Sequence, residues 1–119
     1  MSRHESNVVD LAAEAKSSAG YDNHPITELN DHVVRISIMT EPYYWHYHPD
    51  SDETFLVIEG RLRIDFETHS IDLDPGQLLT IKRGVRHRTQ PIGSRSVNIT
   101  IERVKTITIR VEVPPSMSP

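Results

Sequence analysis

The chain has 119 residues, 17 acidic and 13 basic, for a net charge of −4, and contains no cysteine. That length suits one domain with a single core. The interleaved, mildly acidic balance argues against a nucleic-acid partner, and the missing cysteines exclude disulfides and thiolate zinc sites. No apolar run approaches the roughly 20 residues of a membrane span, and the first residues lack the apolar core of a secretory leader. A cytoplasmic protein with no membrane contact is therefore expected.

Residues 1–30 read as an N-terminal helix and a connection. Met1 to Ser6 is polar. Val8 to Lys16 is Ala-rich, with Asn7 as N-cap and Asp10 in the first turn, where acid suits the helix dipole. Ser17-Ser18-Ala19-Gly20 ends the helix, and Tyr21 to Asn30, with His24-Pro25, is a connection. From Asp31 the pattern changes to period two. Val34, Ile36 and Ile38 alternate with Val33, Arg35 and Ser37, and Leu62, Ile64 and Phe66 alternate with Arg61, Arg63, Asp65 and Glu67. Further short strands are expected over 70–73, 77–81, 85–89, 96–101 and 107–113, punctuated by Gly60, Asp74-Pro75-Gly76, Gly84 and Pro91-Ile92-Gly93-Ser94. Short strands after one helix predict an all-β antiparallel sandwich or barrel over 31–113, with a tail at 114–119. Thr106 to Val113 alternates as a flat strand, which would pair with the sheet or with a second subunit. Arg61, Arg63, Lys82, Arg83, Arg86 and Arg88 alternate with apolar or turn residues and read as solvated faces.

The chemistry concentrates between Trp45 and Gly60. His46 and His48 stand two apart, so on a strand both imidazoles share one face. The turn Pro49-Asp50-Ser51-Asp52 leads into Glu53, whose returning strand would bring its carboxylate beside them. Two imidazoles and a carboxylate on one buried face suit a divalent transition metal. A further histidine, His87, opens a strand just after Gly84. His4, His24, His32 and His69, in the tail, a connection and turns, read as surface residues.

These residues resemble the cupin family. Its first motif, His-x-His, three or four residues, Glu, six residues, Gly, is matched by His46, His48, Glu53 and Gly60. Its second, Gly, five residues, Pro-x-Gly, two residues, His, three residues, Asn, is matched at Gly76, Gly84 and His87. Lys82 and Pro91 replace the motif's proline and asparagine, and Thr40 stands where an opening glycine often occurs; these positions shape backbone and none is a ligand. The resemblance implies a closed antiparallel jelly-roll β-barrel, to which the residues before Gly20 add one short N-terminal helix. It places His46, His48, Glu53 and His87 in the barrel mouth around Fe, Mn, Ni, Co or Zn, and it implies a homodimer.

Inward parity in such a barrel falls on Tyr44, Leu62, Ile64, Phe66, Gln77, Leu79 and Ile81, and outward parity on Trp45 and Tyr47. The expected lumen is mostly apolar, with Tyr44, Gln77 and Thr89 as its polar groups, and fits a small, largely uncharged ligand. Tyr44 is the candidate catalytic acid, its competing role being pocket wall. The expected function is a metalloenzyme of oxygenase or isomerase type. The alternative is a non-catalytic, metal-dependent module that binds or senses a small molecule. A sugar phosphate is disfavoured, because the basic residues mostly take outward parity.

Overall fold

The computed structural model describes residues 6–17 and 20–114. The polar N-terminal end with His4, the Ser18-Ala19 part of the helix stop, and the tail after Pro114 lie outside the described residues. One short helix, α1 (Leu11–Glu14), precedes β1 (Tyr21–Leu29), β2 (His32–Met39), β3 (His46–Tyr47), β4 (Glu53–Phe66), β5 (Ser70–Leu73), β6 (Leu78–Ile81), β7 (His87–Arg103) and β8 (Ile109–Arg110).

The helix is shorter than expected, and Asp10 rather than Asn7 caps it, its carboxylate accepting from the Ala12 amide at 3.1 Å. A single Ala-rich turn is marginal in water and persists through tertiary contact. Leu11 and Ala15 supply that contact against the sheet, and the Arg95 guanidinium donates to the Ala15 and Ser17 carbonyls that the helix end leaves open. The expected connection at Tyr21–Leu29 is instead a strand, paired with β2 from Tyr21↔Met39 to Leu29↔His32. Pro25 is tolerated there because β1 is an edge strand and its register shifts between Pro25 and Thr27.

The expected closed jelly-roll barrel does not form. The eight strands make an open, curled half-barrel: the path β1-β2-β7-β3-β8 has free ends, β4 branches from β7 to pair with β5 and β6, and among the described residues no pairing joins those ends. Period-two alternation fixes which face a side chain takes but not whether the first and last strands meet. At two residues each, β3 and β8 are too short to carry a ladder across the gap.

Curvature comes from β4 and β7, each expected as two strands and each continuous here. Their ladder runs from Phe66↔His87 to Thr54↔Ile101, with register shifts on both sides of Glu59. Gly60 takes φ +69 at this bend, a conformation that costs glycine little. The two ends of the ladder curl toward each other, which returns Glu53 to the neighbourhood of His87. On the outer face Ile36, Ile38, Val97 and Ile99 pack with Ala15. The inner face divides in two. Met39, Phe55, Val57, Leu62, Ile64, Leu73 and Ile81 form an apolar end; Arg35 and Ser37 of β2, opposite Thr100 and Asn98 of β7, begin a polar one.

A candidate metal centre

His46, His48, Glu53 and His87 converge. One ligand atom from each lies within 4.8 Å of all the others, and all four residues are buried. Pairing places His46 directly opposite His87 in the β3–β7 ladder. His48 follows on the same face, and Glu53 arrives on β4 through the curl. Three hydrogen bonds then orient the rings. His46 Nδ1 lies 2.8 Å from the Tyr44 carbonyl, His48 Nδ1 2.9 Å from that of Ile107, and His87 Nδ1 2.9 Å from that of Val85. A carbonyl only accepts, so each Nδ1 carries the proton, and in the neutral ring each Nε2 presents a lone pair to the centre.

Glu53 Oε1 and His87 Nε2 are buried without a hydrogen-bond partner, which is costly unless something else satisfies them. Glu53 Oε1 lies 3.3 Å from His48 Nε2 and 3.7 Å from His87 Nε2. Ligands held at metal-bond lengths of about 2.1 Å stand roughly 3.0 to 4.2 Å apart in an octahedron. The cluster is therefore able to hold a divalent transition metal after a small contraction, and three nitrogens with one oxygen suit such an ion.

The electrostatics of the metal-free cluster fit this role. Burial, and then the neighbouring His87, push His46 down to about 4, so it stays neutral and ready to bind. Burial also lowers His48, but the Glu53 carboxylate outweighs it and holds that imidazole at about 9. Glu53 is correspondingly held low: burial would raise it, and His48 and His87 overcome that. The site keeps one proton on His48 that a cation would displace.

Beside the cluster opens a cavity of about 310 Å³, lined by Tyr21, Asn23, Arg35, Ser37, Tyr43, Phe55, Thr89, Thr100, Glu102, Val104, Thr106 and Thr108 as well as His46, His48 and Glu53. It is far more polar than expected. Gln77 is exposed, its side chain accepting from the Asp74 amide in a turn. Trp45 is 2% exposed, with the Arg88 guanidinium over its ring, and is not among the cavity-lining residues. Tyr44 is not among the cavity-lining residues. Its hydroxyl accepts from that of Tyr43 at 2.8 Å, and its ring meets His46 edge-on. Only His46–Tyr47 is strand here, so parity counted back from His46 fails at Tyr44, and Tyr43 lines the cavity instead.

Glu102 is the residue that sequence reasoning missed. It is 8% exposed, and its Oε2 is buried without a hydrogen-bond partner, 3.8 Å from His48 Nε2. Burial, and then repulsion from Glu53, push it up to about 7. The available signal was the polar parity Ser96, Asn98, Thr100, Glu102 running beside Val97, Ile99 and Ile101. A strand buried on both faces turns that polar row inward.

Comparison with known proteins places the chain. The family model for the cupin domain matches residues 38–100, which include all four cluster residues. The uncharacterized protein YdbB of Bacillus subtilis (strain 168) is 40% identical over 110 residues, covering 92% of this chain and 95% of that one. A cupin-2 domain containing protein from Shewanella frigidimarina superposes with a TM-score of 0.75 at 28% identity, over 81% of this chain and 94% of that one. A conserved protein with a double-stranded β-helix domain from Klebsiella pneumoniae shares the fold at 18% identity, with a TM-score of 0.74 over 90% and 100% of the two chains. With the family model spanning its whole buried His/His/Glu/His cluster and YdbB aligned along nearly its full length, this chain belongs to the cupin family.

Proposed function

We propose that this cupin is a metal-dependent enzyme of oxygenase or isomerase type that acts on a small, largely uncharged, hydroxylated organic molecule. His46, His48 and His87 through Nε2, and Glu53 through a carboxylate oxygen, would hold Fe, Mn, Ni, Co or Zn. When bound, such an ion supplies Lewis acidity and, in the case of iron, redox chemistry. The rest falls to the chain. The Nδ1 hydrogen bonds keep the imidazoles in the binding tautomer, Phe55 and the apolar end of the interior limit water, and the Thr89, Thr100, Thr106 and Thr108 hydroxyls offer donors and acceptors to a polar neutral substrate. Tyr44 is a positioning residue that acts through Tyr43 and His46.

The observation that carries an enzyme rather than a binding module is Glu102. It is a buried carboxylate outside the ligand set whose partnerless oxygen lies 3.8 Å from a ligand nitrogen, within reach of a proton on a substrate held there. Elemental analysis of the purified protein, followed by oxygen-uptake and product assays with small hydroxyketones, diketones and phenols, tests this reading. Turnover that disappears in His48→Ala is the expected result. Metal and ligand binding without turnover across that panel would leave the binding module. Exposed Val104, Ile107 and Val113 fit a homodimer contact, and a monomer in sedimentation at micromolar concentration would remove it.

A further inference from the structure

Among the cavity-lining residues Arg35 is the only lysine or arginine. Its Nε lies 3.7 Å from Glu102 Oε1, and its Nη1 donates to Asn23 Oδ1 at 3.4 Å, which leaves most of the five guanidinium N–H groups free. Glu102 is likewise half satisfied, its other oxygen buried without a hydrogen-bond partner and turned toward His48. Register explains the juxtaposition: Val33 pairs with Glu102 and Arg35 with Thr100, so Arg35 and Glu102 are diagonal neighbours on the inner face of adjacent strands.

We propose that Glu102 is the specificity-determining residue of this cavity, selecting neutral hydroxylated ligands over anionic ones by cancelling the charge of Arg35. The proposal rests on the metal reading above, since it concerns the part of a ligand that extends beyond the ion. The unfilled positions on the pair are donors on Arg35 and an acceptor on Glu102. A hydroxyl accepts from one and donates to the other. A carboxylate only accepts, so it leaves the buried Glu102 oxygen unsatisfied and sets two negative charges together. Thr100 and Ser37 extend the same preference along the wall.

The test is calorimetric titration of manganese-loaded protein at about pH 8, where ordinary carboxylates are ionised, with 1,5-dihydroxypentan-2-one, a neutral hydroxyketone, and 5-hydroxy-4-oxopentanoate, which keeps the hydroxyketone and carries a carboxylate at its far end. The readout is the ratio of the two affinities, in which the contribution of the ion cancels between variants of equal metal content. Glu102→Gln should move the ratio about tenfold or more toward the carboxylate ligand, and Arg35→Met by a similar factor the other way, the scale of one unit charge near contact under partial solvent screening. Manganese content should match wild type in both. An unchanged ratio with manganese retained overturns the selectivity role alone. Loss of manganese in Glu102→Gln also overturns it, because Glu102 would then be a ligand. A wild-type protein that holds no manganese or other divalent transition metal removes the metal reading, and this proposal with it.

Discussion

Replacing Gly60 with alanine tests whether the bend in β4 builds the site. A Cβ at Gly60 would lie 2.2 Å from the Arg95 carbonyl oxygen and 3.2 Å from Arg95 C and Ser96 Cα, all backbone atoms of the paired strand. No rotamer change relieves that contact, so the β4–β7 ladder would have to open by about 1 Å, at an overpacking cost of about 1–3 kcal/mol. Holding alanine at φ +69 adds about 1–2 kcal/mol. The total of about 2–5 kcal/mol is a large share of the about 5–15 kcal/mol that stabilises a typical domain. At about 4 °C per kcal/mol for a chain of this size, the melting temperature should fall by about 8–20 °C. Gly76→Ala is the control. Its φ is +87 and nothing lies within 4 Å of the added Cβ, so it should show only the conformational cost, a loss of about 1–2 kcal/mol. Because the same bend sets the 3.7 Å approach of Glu53 to His87, Gly60→Ala should also lose metal while Gly76→Ala keeps it. Thermal melts followed by circular dichroism, with metal analysis, decide the matter. Equal shifts in the two variants would refute the steric argument, and full metal retention in a destabilised Gly60→Ala would uncouple the bend from the site.

Metal loading at about pH 7.5 should release about one proton per ion, because the His48 imidazole is held at about 9 in the metal-free cluster; calorimetry in two buffers of different protonation enthalpy counts it, and zero release would contradict the assigned ion pair. A histidine raised in the folded state contributes stability that is complete below its unfolded value and lost as pH rises through the folded one. Melting of the metal-free protein should therefore fall between about pH 6.5 and above pH 9, while the metal-loaded protein, whose imidazoles have no proton left to lose at Nε2, should fall less. Asp65→Ala should cost about 3–5 kcal/mol in denaturant unfolding, since Asp65, 3% exposed, accepts from Arg88 Nε at 3.0 Å and Gln90 Nε2 at 2.7 Å and its loss strands the Arg88 charge beside Trp45.

His46, His48, Glu53 and His87 were legible in the sequence because metal ligation demands particular residue types, and strand periodicity carries the first two to one face. The alternation of Leu62 and Ile64 with Arg61 and Arg63 was equally readable, and both apolar residues are 0% exposed. Parity failed where strand structure failed. Tyr44 lies just outside the two-residue β3, so counting by twos from His46 assigned it to a cavity that Tyr43 lines instead. Glu102 failed for a different reason. On β7 a polar row alternating with Val97 and Ile99 looks like a solvated face, yet both rows are buried. Which of two rows faces the cavity depends on the curl of the whole sheet, a property of long-range pairing that no local window contains. Closure of the barrel was unreadable on the same ground.

The division of labour along β7 follows from that curl. The strand begins at His87, a cluster residue, and lines the cavity both near that end, with Thr89, and near its far end, with Glu102. Two residues at opposite ends of one extended strand can share a cavity only if the strand bends, and the bends coincide with Gly93 at φ +86 and, on the partner strand, Gly60 at φ +69. The placement of the His/His/Glu/His cluster and of the Arg35–Glu102 pair therefore follows from a common backbone curvature and not from independent loops. A substitution that flattens β7 would move Glu102 away from His48 and His87 away from Glu53 together, whereas a side-chain change at Arg35 alters the charge of the cavity and leaves the cluster in place.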